Sequence, residues 1–165
     1  MALGFLFAIL IGALLLTLPL SSTSKQALSP VAALFTATSA TCVTGLSVID
    51  IGTQLTLFGQ LVVLVLTQLG GLGITTYGTF LLVLVGRRLS VKNEFVLMSS
   101  YGVDEVNGLR SLLRWTMGLT FLIEGLGAFL LWTRYLVHAA ELHLPTDTGT
   151  LIYYAIFHSV CAFCN

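Results

Sequence analysis

The residues of this 165-residue chain best placed to do chemistry are a run of backbone carbonyls, not a set of reactive side chains. Thr41-Cys42-Val43-Thr44-Gly45-Leu46 follows an apolar, helix-compatible stretch and precedes Asp50. A cation leaving water for lipid loses hydration worth on the order of tens of kcal/mol. Rings of backbone carbonyls can replace that water. They can do so only where the chain is extended and free to take unusual dihedrals, which glycine permits because it has no Cβ. Gly45 fits that role, with Thr41 to Thr44 supplying the preceding oxygens. The competing reading is a tight turn between two helices, for which Thr-Gly is ordinary.

Other candidates are each open to two readings. Asp50 would concentrate cations at an outer mouth, or it caps the next helix. Glu124 lies ten residues from both Arg114 and Arg134, at mid-span. A carboxyl there must face protein interior or water. It acts as a coupling-ion or gating group, or as a structural carboxyl hydrogen-bonded to a neighbouring pore helix. Gly70-Gly71-Leu72-Gly73 follows no strand, so it serves close helix packing or a bend and not a nucleotide loop. Cys161-x-x-Cys164 has redox or zinc spacing but no second ligand pair, and reads as small wall residues. His138, Glu141 and His143 group in one connection without the zinc-protease order. His158 reads as a packing residue.

These groups need elements to hold them. Charged residues make up 8% of the chain and apolar ones 56%, against roughly 25% charge in soluble domains. The mean hydropathy is +0.99. Both numbers place the chain in a lipid bilayer. The zero net charge and the lack of a dense Lys/Arg cluster argue against nucleic acid as a partner. Leu3 to Leu20 is an apolar run of 18 residues with no preceding Lys or Arg, which favours a retained span over a signal peptide. Ile51 to Gly86 has 36 residues without charge, about 54 Å as helix, so part of it must tilt, kink or project. The second span is placed at 53–86 and the third at 115–134.

Between the first two spans, Ser29 and Pro30 form a helix-start signal. Pro30 to Ala40 is about 16 Å of helix, half a membrane, leading into 41–46. That is the pattern of a re-entrant pore loop. Arg87, Arg88, Lys92, Arg110 and Arg114 put the 87–114 connector, and the N-terminus, on the cytoplasmic side. Residues 135–148 then form an outer loop.

The stretch Phe35–Val43 has a counterpart at Phe157–Asn165, offset by 122 residues. Phe35/Phe157, Ala40/Ala162 and Cys42/Cys164 are identical, and each stretch follows a span and a polar connection. An internal repeat of helix, pore loop and helix follows, with a second pore helix at 149–163 and Cys164 and Asn165 opening a second filter. Residues 1–86 are the first repeat and 115–165 an incomplete second one, so the chain reads as part of a longer protein.

FTATSATCVTGLSVID, FHSVCAFCN, QLGGLGI, GRRLS and LIEGLGAFLL together resemble the TrkH/KtrB family of potassium transporters, over nearly the whole chain. The short N-terminus is closer to the KtrB type. The resemblance implies an all-α membrane protein of four helix–pore loop–helix repeats around one pore, of which one and a half are present here. It further implies potassium as the transported ion, held only at the filter, and uptake across the bacterial inner membrane. A homodimer and a cytosolic nucleotide-binding ring of the KtrA/TrkA kind are also implied. No cofactor is expected, and coupling to sodium or protons stays open. Two rivals remain: a non-conducting membrane scaffold or assembly subunit, and a membrane enzyme using His138, Glu141 and His143.

Overall fold

The computed structural model describes residues 2–73, 106–138 and 147–164. Within them every element is a helix: α1 (Ala2–Thr17), α2 (Pro30–Thr41), the four-residue α3 (Ile51–Gln54), α4 (Leu57–Leu72), α5 (Val106–His138) and α6 (Thr148–Cys164). This agrees with the expected all-α class.

Local signals set the helix ends. α1 stops at Thr17, ahead of Pro19, which opens a short 3₁₀ turn over Pro19–Ser21; a residue before proline is pushed out of helical space. At α2, Ser29 Oγ accepts from the Ala32 amide at 3.2 Å and Pro30 fills the first helical position. Within the described residues, the uncharged stretch after Asp50 is interrupted at two places. It breaks at Leu55, before α4 restarts under a Thr56 cap. It breaks again at Gly73, whose φ of 80° takes the chain out of the helix.

α5 is longer than the 115–134 span expected from charge. It has 33 residues, about 50 Å. Leu113, Met117, Thr120 and Glu124 are all buried, and their spacing of four, three and four keeps them on one helix face. That stripe begins before residue 115, so 106–114 continues the span helix. Leu113–His138 is long and apolar enough to cross a bilayer, and Leu3–Thr17, Leu57–Leu72 and Thr148–Cys164 are shorter apolar helices.

α1 packs on α2 and α4, α2 on α4, α4 on α6, and α5 on α6. A core of Leu16, Ala33, Ala37, Leu55, Val63 and Leu66 joins the first three of these helices. Small residues allow close approach, as bilayer helices require: a Cβ on Gly12 would lie 2.5 Å from Leu66 Cδ1, and one on Gly127 would lie 2.5 Å from Ser159 Oγ. Polarity is inverted relative to a soluble domain. Leu3, Trp115 and Val137 are at least 76% exposed, whereas Thr36, Gln60, Thr67, Thr120, Glu124 and Ser159 are buried. An exposed apolar surface of this extent marks contact with membrane or protein.

Candidate functional site

The carboxyl end of α2 ends in a tightly bonded reversal. The Thr44 amide donates to Ser39 O at 3.0 Å and the Val43 amide to Ala40 O at 3.4 Å. These are the paired bonds of a Schellman cap. The left-handed position in that cap is usually glycine, but here it is Val43, with φ of 57°. A β-branched residue in this conformation is strained. Gly45 follows with φ of 69°. The Thr44 and Ser39 hydroxyls lie 2.9 Å apart, which ties the loop back to the helix. Thr41 Oγ1 donates to Ala37 O at 2.7 Å, and the Cys42 amide donates to Thr38 O at 2.8 Å. Thr41 is therefore the last residue of the helix, and non-helical backbone begins at Cys42.

Two glycines of α4 form the seat for this region. A Cβ on Gly70 would stand 2.3 Å from Thr41 O, and one on Gly71 would stand 2.6 Å from Cys164 Sγ. One turn of α4 thus supports the end of α2 and the end of α6. Between the loop and α6 lies a cavity of about 250 Å³, lined by Val43, Gly45, Thr36, Thr67, Phe157 and Cys161 among others. The Thr36 hydroxyl is buried without a hydrogen-bond partner among the described residues. A buried polar group left this way calls for a polar occupant.

Asp50 adopts the capping geometry, its carboxylate accepting from the Gly52 amide at 3.0 Å at the start of α3. The Thr53 hydroxyl and that amide hold its carboxyl below the usual carboxylate range, so it is anionic at neutral pH. Glu124 is buried, and its partner differs from the one the sequence suggested. Gln68 Nε2 on α4 donates to both carboxyl oxygens, at 2.9 and 3.2 Å. The backbone carbonyl of Glu124, not its side chain, meets α6, accepting from Ser159 Oγ at 2.7 Å.

Cys42, Cys161 and Cys164 are free thiols. His138 occupies the last turn of α5 beside Arg134, and the His158 ring packs edge-on against Tyr135 and Phe157. Asn165, Glu141, His143, the connector up to residue 105 and the 74–86 stretch lie outside the described residues.

Sequence reasoning passed over Gln60 and Gln68. Gln60 Nε2 donates to the carbonyls of Ile51, Gly52 and Leu55, each at 3.2 Å, while its Oε1 accepts from Tyr153 on α6 at 2.8 Å. The signal was present: two amides inside an uncharged apolar span must find partners.

The family model for TrkH, described as a cation transport protein, matches residues 7–165. The chain is 36% identical over its full length to Ktr system potassium uptake protein B of Bacillus subtilis. It is 39% identical over 99% of its length to the protein of the same name in Vibrio alginolyticus. It is 32% identical over 99% of its length to the potassium/sodium uptake protein NtpJ of Enterococcus hirae. It spans about a third of the length of these relatives, 34–35%. With a match over nearly every residue, this chain belongs to the TrkH family of membrane cation transporters, and not to an enzyme family.

Proposed function

We propose that this chain supplies part of the permeation path of a potassium-uptake protein of the bacterial inner membrane, with residues 41–46 as one strand of a carbonyl-lined filter. The observation that carries this reading is the backbone after α2. Val43 and Gly45 both have positive φ, and Thr44 between them does not. Alternating the sign of φ turns successive carbonyls from opposite sides of the chain toward a common side, the arrangement a dehydrated cation needs. α2 points its carboxyl end, with its partial negative charge, at the same place. The cavity beside the loop has a largely apolar lining, in which the Thr36 hydroxyl has no hydrogen-bond partner among the described residues.

In this reading α2 and α6 are corresponding pore helices, Cys164 and Asn165 begin the second strand, and Asp50 sits on the outer side. The names of the relatives support potassium as the ion, and NtpJ, named for potassium and sodium, keeps sodium coupling within the proposal. The complete protein is then a homodimer gated by a cytosolic nucleotide-binding ring, with the N-terminus and the 87–114 connector inside, as family membership and the basic residues suggest.

The test is Gly45→Ser, expressed from the complete reading frame in a strain deficient in potassium uptake. A side chain at φ of 69° is strained, so potassium affinity should fall or sodium should compete more strongly. Growth on low potassium and an ion preference both equal to the parent's would refute the filter assignment.

A further inference from the structure

Three helices meet at one side-chain amide. Gln68 of α4 gives its nitrogen to Glu124 of α5, and its oxygen accepts from Cys164 Sγ of α6 at 3.6 Å. We propose that Glu124 and Gln68 are positioning residues for the second ion-coordinating strand. Glu124 fixes which way the Gln68 amide faces, and the amide oxygen then anchors Cys164, from which that strand departs. The inference rests on the filter reading above and adds residues to it.

The geometry carries the direction of control. Both carboxyl oxygens of Glu124 lie within 3.2 Å of one nitrogen; as a carboxylate Glu124 only accepts, so the amide presents its NH₂ to it. Its oxygen is thereby turned to the thiol. A thiol is a weak donor and would not orient an amide by itself. Cys164 also has little room to move, because Gly71 lies against its Sγ and Cβ; a side chain there would begin 2.6 and 2.9 Å away. The height of α6 along α5 is set separately by the Ser159 bond to the Glu124 carbonyl at 2.7 Å. Glu124, Ser159 and Cys164 are all buried, in surroundings where an unmet polar group is most costly. The same turn of α4 seats the Thr41 carbonyl at Gly70. Residues 68–71 therefore gauge the spacing of the two strand origins, and Glu124 sets one end of the gauge.

The test measures rubidium uptake and its inhibition by sodium in the protein expressed from its complete reading frame, normalised to the amount in the membrane. Glutamine at 124 can face Gln68 either way round, so E124Q should lower potassium-over-sodium discrimination roughly three- to tenfold, the effect of one misplaced hydrogen bond. C164A should impair discrimination several-fold more than C164S, which keeps a donor. The E124Q/C164A double variant should be less than additive, as for residues in one network. Additive effects, equal behaviour of C164A and C164S, or unchanged discrimination in E124Q would overturn the proposal. The C164A/C164S pair decides alone if E124Q does not reach the membrane. Should G45S alter discrimination while these variants do not, the positioning role fails and the filter reading stands. Should G45S leave discrimination unchanged, the filter reading itself fails.

Discussion

Replacing Gly70 with alanine should damage ion discrimination more than it damages the helix that carries it. The added Cβ would lie 2.3 Å from Thr41 O, 2.9 Å from Thr41 C and 2.9 Å from Val43 Cγ2. The first two are backbone atoms, so no side-chain rotation relieves them. Ordinary contact begins near 3.4 Å, so α4 and the end of α2 must separate by about 1 Å, and overpacking of this kind costs about 1–3 kcal/mol. Alanine is the better helix former by about 1 kcal/mol, which offsets part of the loss within α4. What remains falls on Thr41 and Val43, where the coordinating strand begins. A displacement near 1 Å is large against the tolerance of a built binding site, roughly 0.5 Å. The expected outcome is protein present in the membrane at near-normal amounts, with potassium-over-sodium discrimination reduced tenfold or more. Gly118→Ala and Gly125→Ala are the matched controls, since an added Cβ at either meets nothing within 4 Å. Tracer uptake with sodium competition reads the result. G70A with the discrimination of the parent, or controls as impaired as G70A, would refute the close-seat argument.

Two further outcomes follow from the same loop and from the helix caps. Val43→Gly removes the left-handed strain at φ of 57°, worth about 1–2 kcal/mol, so thermal stability in detergent should rise or hold while discrimination falls, because a glycine leaves the loop freer; a stability loss would contradict the strain. Asp147 caps α6 through the Thr150 amide and hydroxyl, both at 3.0 Å, and these bonds hold its carboxyl below its ordinary value of 3.8; Asp50 is held low in the same direction. A depressed carboxyl contributes stability that is present above the unfolded-state value and lost as pH falls through the folded one. Detergent melting should therefore steepen below about pH 4, and Asp147→Asn, which caps without titrating, should flatten that slope; identical slopes would dismiss the contribution.

Much of the helical framework could be read from residue types because it rests on local chemistry. Ser29-Pro30 announced a helix start, and the Ser29 hydroxyl caps the helix there. Asp50 ahead of an apolar run suggests a cap, and it makes the cap bond. The glycines at 70–73 suggest packing or a bend, and the packing is present: Gly70 and Gly71 admit neighbouring backbone and sulfur, while Gly73 caps the end of α4. What could not be read depends on which particular bonds close in three dimensions, near or far along the chain. The left-handed turn at Val43 is imposed by the Thr44 to Ser39 bond and not by any preference of valine. The partner of Glu124 is 56 residues away on another helix. Arg110 and Arg114 suggest a boundary, yet α5 runs on from Val106, because a long helix can carry basic residues on an exposed flank, and Arg114 is exposed beside buried Leu113.

The chain segment that holds α2 is clasped at its base. Thr56 N donates to Ser21 O at 2.9 Å, Thr23 N to Gln54 O at 3.0 Å, and Thr56 Oγ1 to Leu20 O at 2.7 Å, around a bridge between Ser22 and Leu55. These bonds join the adjoining ends of α1 and α4, so the two helices are yoked at that end, while the opposite end of α4 is held by the ends of α2 and α6 that rest on Gly70 and Gly71.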